Sequence, residues 1–164
     1  DAIKAMYEGS LKKFGIVLNG MKMHSINPET SKIYGHLSQY YEKKSNLSDP
    51  FRLFSNMMIA NIDQSEYCLV LMENVVHQKL NISKEQFNAM LDDPSKAPLN
   101  ETDMALLEFV IKVIKDSKSS TKTDIEKLNR LGFSDKDIYE AIDYATYKQK
   151  LHLMFNILHI ENDY

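Results

Sequence analysis

Helix-start signals recur along this chain, and no stretch of six residues keeps the apolar–polar alternation of a half-buried strand. Asn27-Pro28-Glu29 supplies an N-cap, a proline at the first helical position and an acid in the first turn, which predicts a helix to about Lys44. Ser48-Asp49-Pro50 opens the next helix in the same way. Phe51, Leu53, Phe54, Met57, Met58 and Ile62 make that segment apolar on most sides, as a central, buried helix requires. Asp63 to Ser65 interrupts it and offers caps for a helix from about Ser65 to Leu80. Ser83 with Gln86 reads as a capping box for a short helix ending near Leu91. Asn100 caps a helix carrying Leu106, Leu107, Val110, Ile111, Val113 and Ile114. Thr123 with Glu126 reads as another capping box, and Gly132 fits the left-handed stop of that helix. Ser134 opens the last and longest helix, from about Asp135 to Ile160. Glycine (5) and proline (4) are too scarce for a turn-rich β fold, so the chain reads as all-α.

A chain of 164 residues is long enough for one domain, residues 1–164, with a real core. Its net charge of −3 offers no basic track for nucleic acid. No stretch approaches the roughly 20 apolar residues of a membrane span. No signal-peptide core follows Asp1-Ala2-Ile3-Lys4, and a single cysteine excludes an internal disulfide framework and any cysteine-rich metal site. These features point to the cytoplasm, and no cofactor or metal is expected.

Cys68 is that cysteine, in the first turn of the helix that begins near Ser65. Free N–H groups and the helix dipole there favour a thiolate. The plainer alternative is a small buried hydrophobe. His77, nine residues on, faces the opposite side of the helix, whereas Met72 and Val75 share the face of Cys68. Glu73 and His77 make an i, i+4 pair. His152, Asn156 and His159 form a polar stripe, at i, i+4 and i+7, in an otherwise apolar part of the last helix. They read either as a proton carrier or metal pair reaching a pocket, or as paired polar groups in the core or at an interface; the second reading is favoured. His24 and His36 read as isolated structural or exposed residues, and Met57, Met58 and Met72 as core more than pocket.

Four segments carry a resemblance. Ser65-Glu66-Tyr67-Cys68-Leu69-Val70-Leu71-Met72 is similar to a Cys-Glu-Tyr-Cys-x-x-x-His helix start. Ala97 to Leu107 looks like an Ala-Pro-Leu-Ser linker with its following helix. Asp124 to Asp135 matches a D-I-x-x-L-x-x-x-G-x-S-D helix–turn–helix, and Phe14 to Asn19 looks like an F-G-x-V-P-N entry with Leu18 for the proline. In this order they resemble the carboxymuconolactone decarboxylase and alkyl hydroperoxidase D-like superfamily. The resemblance implies a bundle of about seven helices around an antiparallel pair, and assembly into a homo-oligomer, trimer or hexamer.

It also implies where the chemistry departs from the family. The redox members cycle two cysteines and relay protons through a histidine and a glutamate. Here those positions fall on Ser65, Met72 and Leu53, and only Cys68 remains. Serine forms no disulfide, and neither methionine nor leucine carries a proton. The resemblance therefore implies at most a single-thiol, peroxidase-like antioxidant activity, with Cys68 oxidised to sulfenate and restored by a partner thiol reductant. The alternative is a non-catalytic binding protein with an apolar pocket at Leu53, Ser65 and Met72. A third reading is an acid–base enzyme using His152 or His159.

Overall fold

The computed structural model describes residues 2–163; Asp1, from which the leader was judged, lies outside them. Every described regular element is helical. The chain runs through α1 (Ala2–Phe14), α2 (Asn19–His24), α3 (Pro28–Lys43), α4 (Asp49–Ile62), α5 (Glu66–Leu80), α6 (Lys84–Asp92), a 3-10 turn (Pro94–Lys96), α7 (Glu101–Lys115), α8 (Lys122–Arg130) and α9 (Asp135–Ile157). Nine α-helices among the described residues exceed the seven expected, the additions being α1 and α2.

α4 is the buried centre. Phe51, Phe54, Met57, Met58, Ile59 and Ala60 are all closed off from solvent, and α4 packs on α7, α9 and α5. The methionines of α4 are thus core. A link of residues 63–65 folds α5 back on α4, with Gln64 at φ 51° and the Ser65 amide bonded to the Ala60 carbonyl at 2.9 Å. Burial of this many large apolar side chains, each contributing on the order of 1.5–3 kcal/mol, is the main stabilising term of the bundle.

Side-chain caps set most helix starts. Asn27, Ser48, Ser83, Asn100 and Ser134 each accept from a first-turn amide. The cap of α8 is Thr121 with Asp124 rather than Thr123 with Glu126. Lys112 selects this earlier box, since its Nζ lies 2.8 Å from the Asp124 carboxylate that completes it. Gly132, at φ 101°, ends α8 as expected. α9 stops at Ile157 instead of Ile160, because His159 turns left-handed (φ 51°) and the Ile160 amide closes onto the Phe155 carbonyl at 3.0 Å.

Candidate functional site

A cavity of about 600 Å³ lies between α2, α3, α5 and α9. Leu18, Met21, Leu71, Leu151 and Phe155 give it apolar walls. Tyr67 and Phe155 roof it with ring centres 4.9 Å apart. The Tyr67 hydroxyl donates to Asp163 at 2.6 Å and accepts the Gly20 amide at 2.9 Å. Asp163 also accepts the Asn19 amide at 2.8 Å. The C-terminal segment thereby ties α2 over α5. At Gly20 an added Cβ would stand 3.1 Å from the Tyr67 hydroxyl and 3.2 Å from the Phe155 ring, so a larger residue there would press both rings back by a few tenths of an ångström.

Cys68 and Met72 both border this cavity. Ser65 sits at the N-cap of α5 but caps nothing: its hydroxyl is buried and without an ordinary hydrogen bond. It is turned instead toward the Cys68 thiol, where it gives slight support to the thiolate. Burial dominates over that support and over the positive charge of Lys148. The Cys68 pKa is pushed up to about 11, with the Asp63 charge adding to the rise. The helix-start argument for a thiolate is outweighed because the third residue of α5 is 5% exposed.

Leu53 does not join Cys68. It faces a larger, more open cleft of about 1120 Å³ bordered by α3, α4, α6 and α9. Asn56, three residues further along α4, is the residue that reaches the Cys68 cavity. Its amide donates to the Met72 sulfur at 3.2 Å, and its oxygen stands 3.1 Å from His152 Nε2. On the other side of that ring, Nδ1 lies 3.0 Å from the Asp63 carboxylate, which also accepts from Gln149 at 3.0 Å. His152 is 1% exposed. Burial lowers its pKa, against the hydrogen bond and charge of Asp63.

The polar stripe on α9 comes apart in the fold. His152 borders the cavity, Asn156 is exposed and donates to the Asp63 carbonyl at 2.9 Å, and His159 lies beyond the helix in a shallow surface dip. His152 is thus both hydrogen-bonded and at the cavity, and Asn156 is hydrogen-bonded at the surface. His77 bonds the Ile82 carbonyl, and Glu73 pairs with Lys84, not with His77. Among the described residues no group of three or more histidine, cysteine, aspartate or glutamate side chains is placed to hold a metal ion.

Several cavity residues escaped the sequence reading. His36 borders it while exposed, in keeping with the reading of that residue; His24 lines it half-buried, and burial together with the charges of Lys148 and Lys150 lowers its pKa. Lys148 lines it too. Its helical neighbours are Tyr144, Ala145, Leu151 and His152, and a lysine set among such residues at i±3 and i±4 was the available signal. Burial takes its pKa down to about 8.

No family model matches the chain, and no curated protein does. Solved structures do. An uncharacterised peroxidase-related protein from Silicibacter sp. TM1040 superposes with a TM-score of 0.83 at 22% identity, over 96% of this chain and 83% of that one. The alkylhydroperoxidase D core of an uncharacterised peroxidase-related protein from Ralstonia eutropha JMP134 gives 0.83 at 19% identity, over 98% and 85%. A protein of unknown function from Agrobacterium tumefaciens, suggested as an alkyl hydroperoxidase D-type antioxidant defence protein, gives 0.67 at 17% identity, over 87% and 96%. This chain thus has the all-α, alkyl hydroperoxidase D-like fold of peroxidase-related proteins.

Proposed function

We propose that this chain uses the cavity beside Cys68 as a binding site for a small, mostly apolar molecule, with Cys68 held there as a neutral thiol. The observation that carries the reading is the cavity itself. A space of about 600 Å³, with walls of leucine, methionine and phenylalanine and polar groups from lysine, histidine, tyrosine and asparagine, has the size and chemistry of a small-molecule site. Octan-1-ol is a suitable probe. It should raise the melting temperature of the wild type and bind by calorimetry, and Leu71→Trp, which fills the space, should abolish both effects. No binding of octan-1-ol, or of octanoate of the same chain length, up to the solubility limit ends this reading.

A second reading is favoured by Lys148 and Ser65, both of which ease ionisation of Cys68. In it the chain is a single-thiol peroxidase. The sulfur takes the outer oxygen of a hydroperoxide, the O–O bond breaks, and the alcohol leaves with the thiol proton. A partner thiol then displaces water from the sulfenic acid, and a second thiol reduces the mixed disulfide. Trapping of a Cys68 sulfenate after addition of an alkyl hydroperoxide at pH 7 supports it. An unmodified thiol under conditions that oxidise free cysteine rejects it. Trimeric or hexameric assembly belongs to either reading, and exposed Leu153, Ile157 and Leu158 at the end of α9 offer apolar surface for it; light scattering on the purified chain tests the subunit number.

A further inference from the structure

The cavity beside Cys68 has a lopsided charge. Lys32, Lys148, His24, His36 and His152 line it and, among the described residues, no aspartate or glutamate does, although the chain as a whole carries a net charge of −3. The carboxylates nearby are engaged or stand elsewhere. Asp63 sits behind His152, bonded to Nδ1 and to Gln149. Asp163 is held by Tyr67 and the Asn19 amide. Glu42 lines the larger cleft together with Lys148, where its charge acts on that lysine without forming an ion pair.

Of the two lysines, Lys32 is at the rim and already paired with Glu29 at 2.8 Å. Lys148 is different. With Ser38 and Tyr147 it lines both the cavity and the larger cleft. Among the described residues it forms no ion pair, and its ammonium lies 5.2 Å from the ring centres of both Tyr144 and Tyr147. Two aromatic faces compensate part of its lost hydration. They do not neutralise it, and a partly buried cation lacking a carboxylate is stabilised when an anion arrives.

Building on the cavity as a binding site, we infer that its ligand is a small organic monoanion: a carboxylate held at Lys148, with a hydrocarbon body laid against Met21, Leu71, Leu151 and Phe155. Lys148, the lysine of the cavity that holds no carboxylate in an ion pair among the described residues, matches one negative charge. Half-buried His24 and buried His152 are held toward their neutral forms and add polar contacts more than charge. The apolar walls match a short alkyl or aryl group.

Calorimetry at pH 7 with octanoate and octan-1-ol, two probes of one chain length, tests this. Octanoate should bind roughly tenfold or more tightly than octanol, as expected when a desolvated charge gains its partner. Added salt should narrow the difference. Lys148→Gln should bring octanoate level with octanol, and Lys148→Arg should keep the preference. Octanol binding as tightly as octanoate overturns the inference while leaving the cavity reading intact. Failure of both probes to bind overturns both. A preference for octanoate that persists in a folded Lys148→Gln protein also overturns it. Should Lys148→Gln not fold, the wild-type comparison of the two probes decides alone.

Discussion

Lys148 costs the free protein stability. Its pKa of about 8 lies below the ordinary 10.5, chiefly through burial, with Lys13 and Arg52 adding to the fall and Cys68 and Glu42 opposing it. The folded state therefore holds the proton less tightly than the unfolded chain does. The penalty is fully present below about pH 8 and is relieved as pH rises from 8 toward 10.5. Lys148→Met should be more stable than wild type at pH 7, by about 1–3 kcal/mol, and the gain should vanish by pH 10.5. Urea melts of both proteins across that range measure it, and a destabilised Lys148→Met at pH 7 contradicts the argument. Cys68 moves in the other direction. Its raised pKa means that the protonated thiol favours the fold, and this contribution is lost as pH climbs from the ordinary value of about 8.5 through about 11. Alkylation of native protein by iodoacetamide should thus have its midpoint near pH 11, and alkylation in urea near the usual value of about 8.5. A native midpoint below 8.5 would transfer the weight to the single-thiol reading.

At the scale of the helices, local chemistry decides where elements begin, and long-range partners shift the result. Ser48, Ser83, Asn100 and Ser134 are caps that the next few residues announce, and the structure uses them all. α8 shows the limit of such reading. Thr121 and Thr123 both stand ahead of an acid at the right spacing, and the choice falls to Lys112 on α7, which holds Asp124. Thr121→Ala should destabilise the protein by about 1 kcal/mol and Thr123→Ala by a few tenths at most, measured by denaturant titration. α2 is the stronger case. Leu18 gives it no side-chain cap; its first amide is taken by Asp163, 144 residues away, so no local signal announces it. The same reasoning explains the site. Cys68, Ser65 and Met72 follow from spacing on α5. Asn56 and His152 meet only because α4 and α9 pack together, and Leu53 falls on the wrong side of α4 by rotation about the helix axis.

For the molecule as a whole, the consequence is that two distant ends of the chain close one cavity. The Asp163 carboxylate accepts from the Tyr67 hydroxyl and from the Asn19 amide at the start of α2, so a single side chain links α5, α2 and the C-terminal segment. Cys68, Met21 and Gly20 line the same cavity as Tyr67. The core around α4 does not depend on it, since its apolar cluster is formed by α4, α7 and α9 with the flanking helices. Opening the roof should therefore be a local event with a free energy well below that of global unfolding. Asp163→Ala leaves the Tyr67 hydroxyl and the Asn19 amide seeking water, and should loosen α2 while the helical bundle persists. Cys68 alkylation at a fixed pH of 9 should accelerate several-fold in this variant, with the main thermal transition lowered only slightly, because labelling reports the population of the opened roof. Equal labelling rates in the two proteins would mean that probes reach the cavity by another route, through the side shared with the larger cleft at Ser38, Tyr147 and Lys148. In that case Lys148 would stand at the entrance, and its replacement would change the rate of ligand entry as well as the affinity.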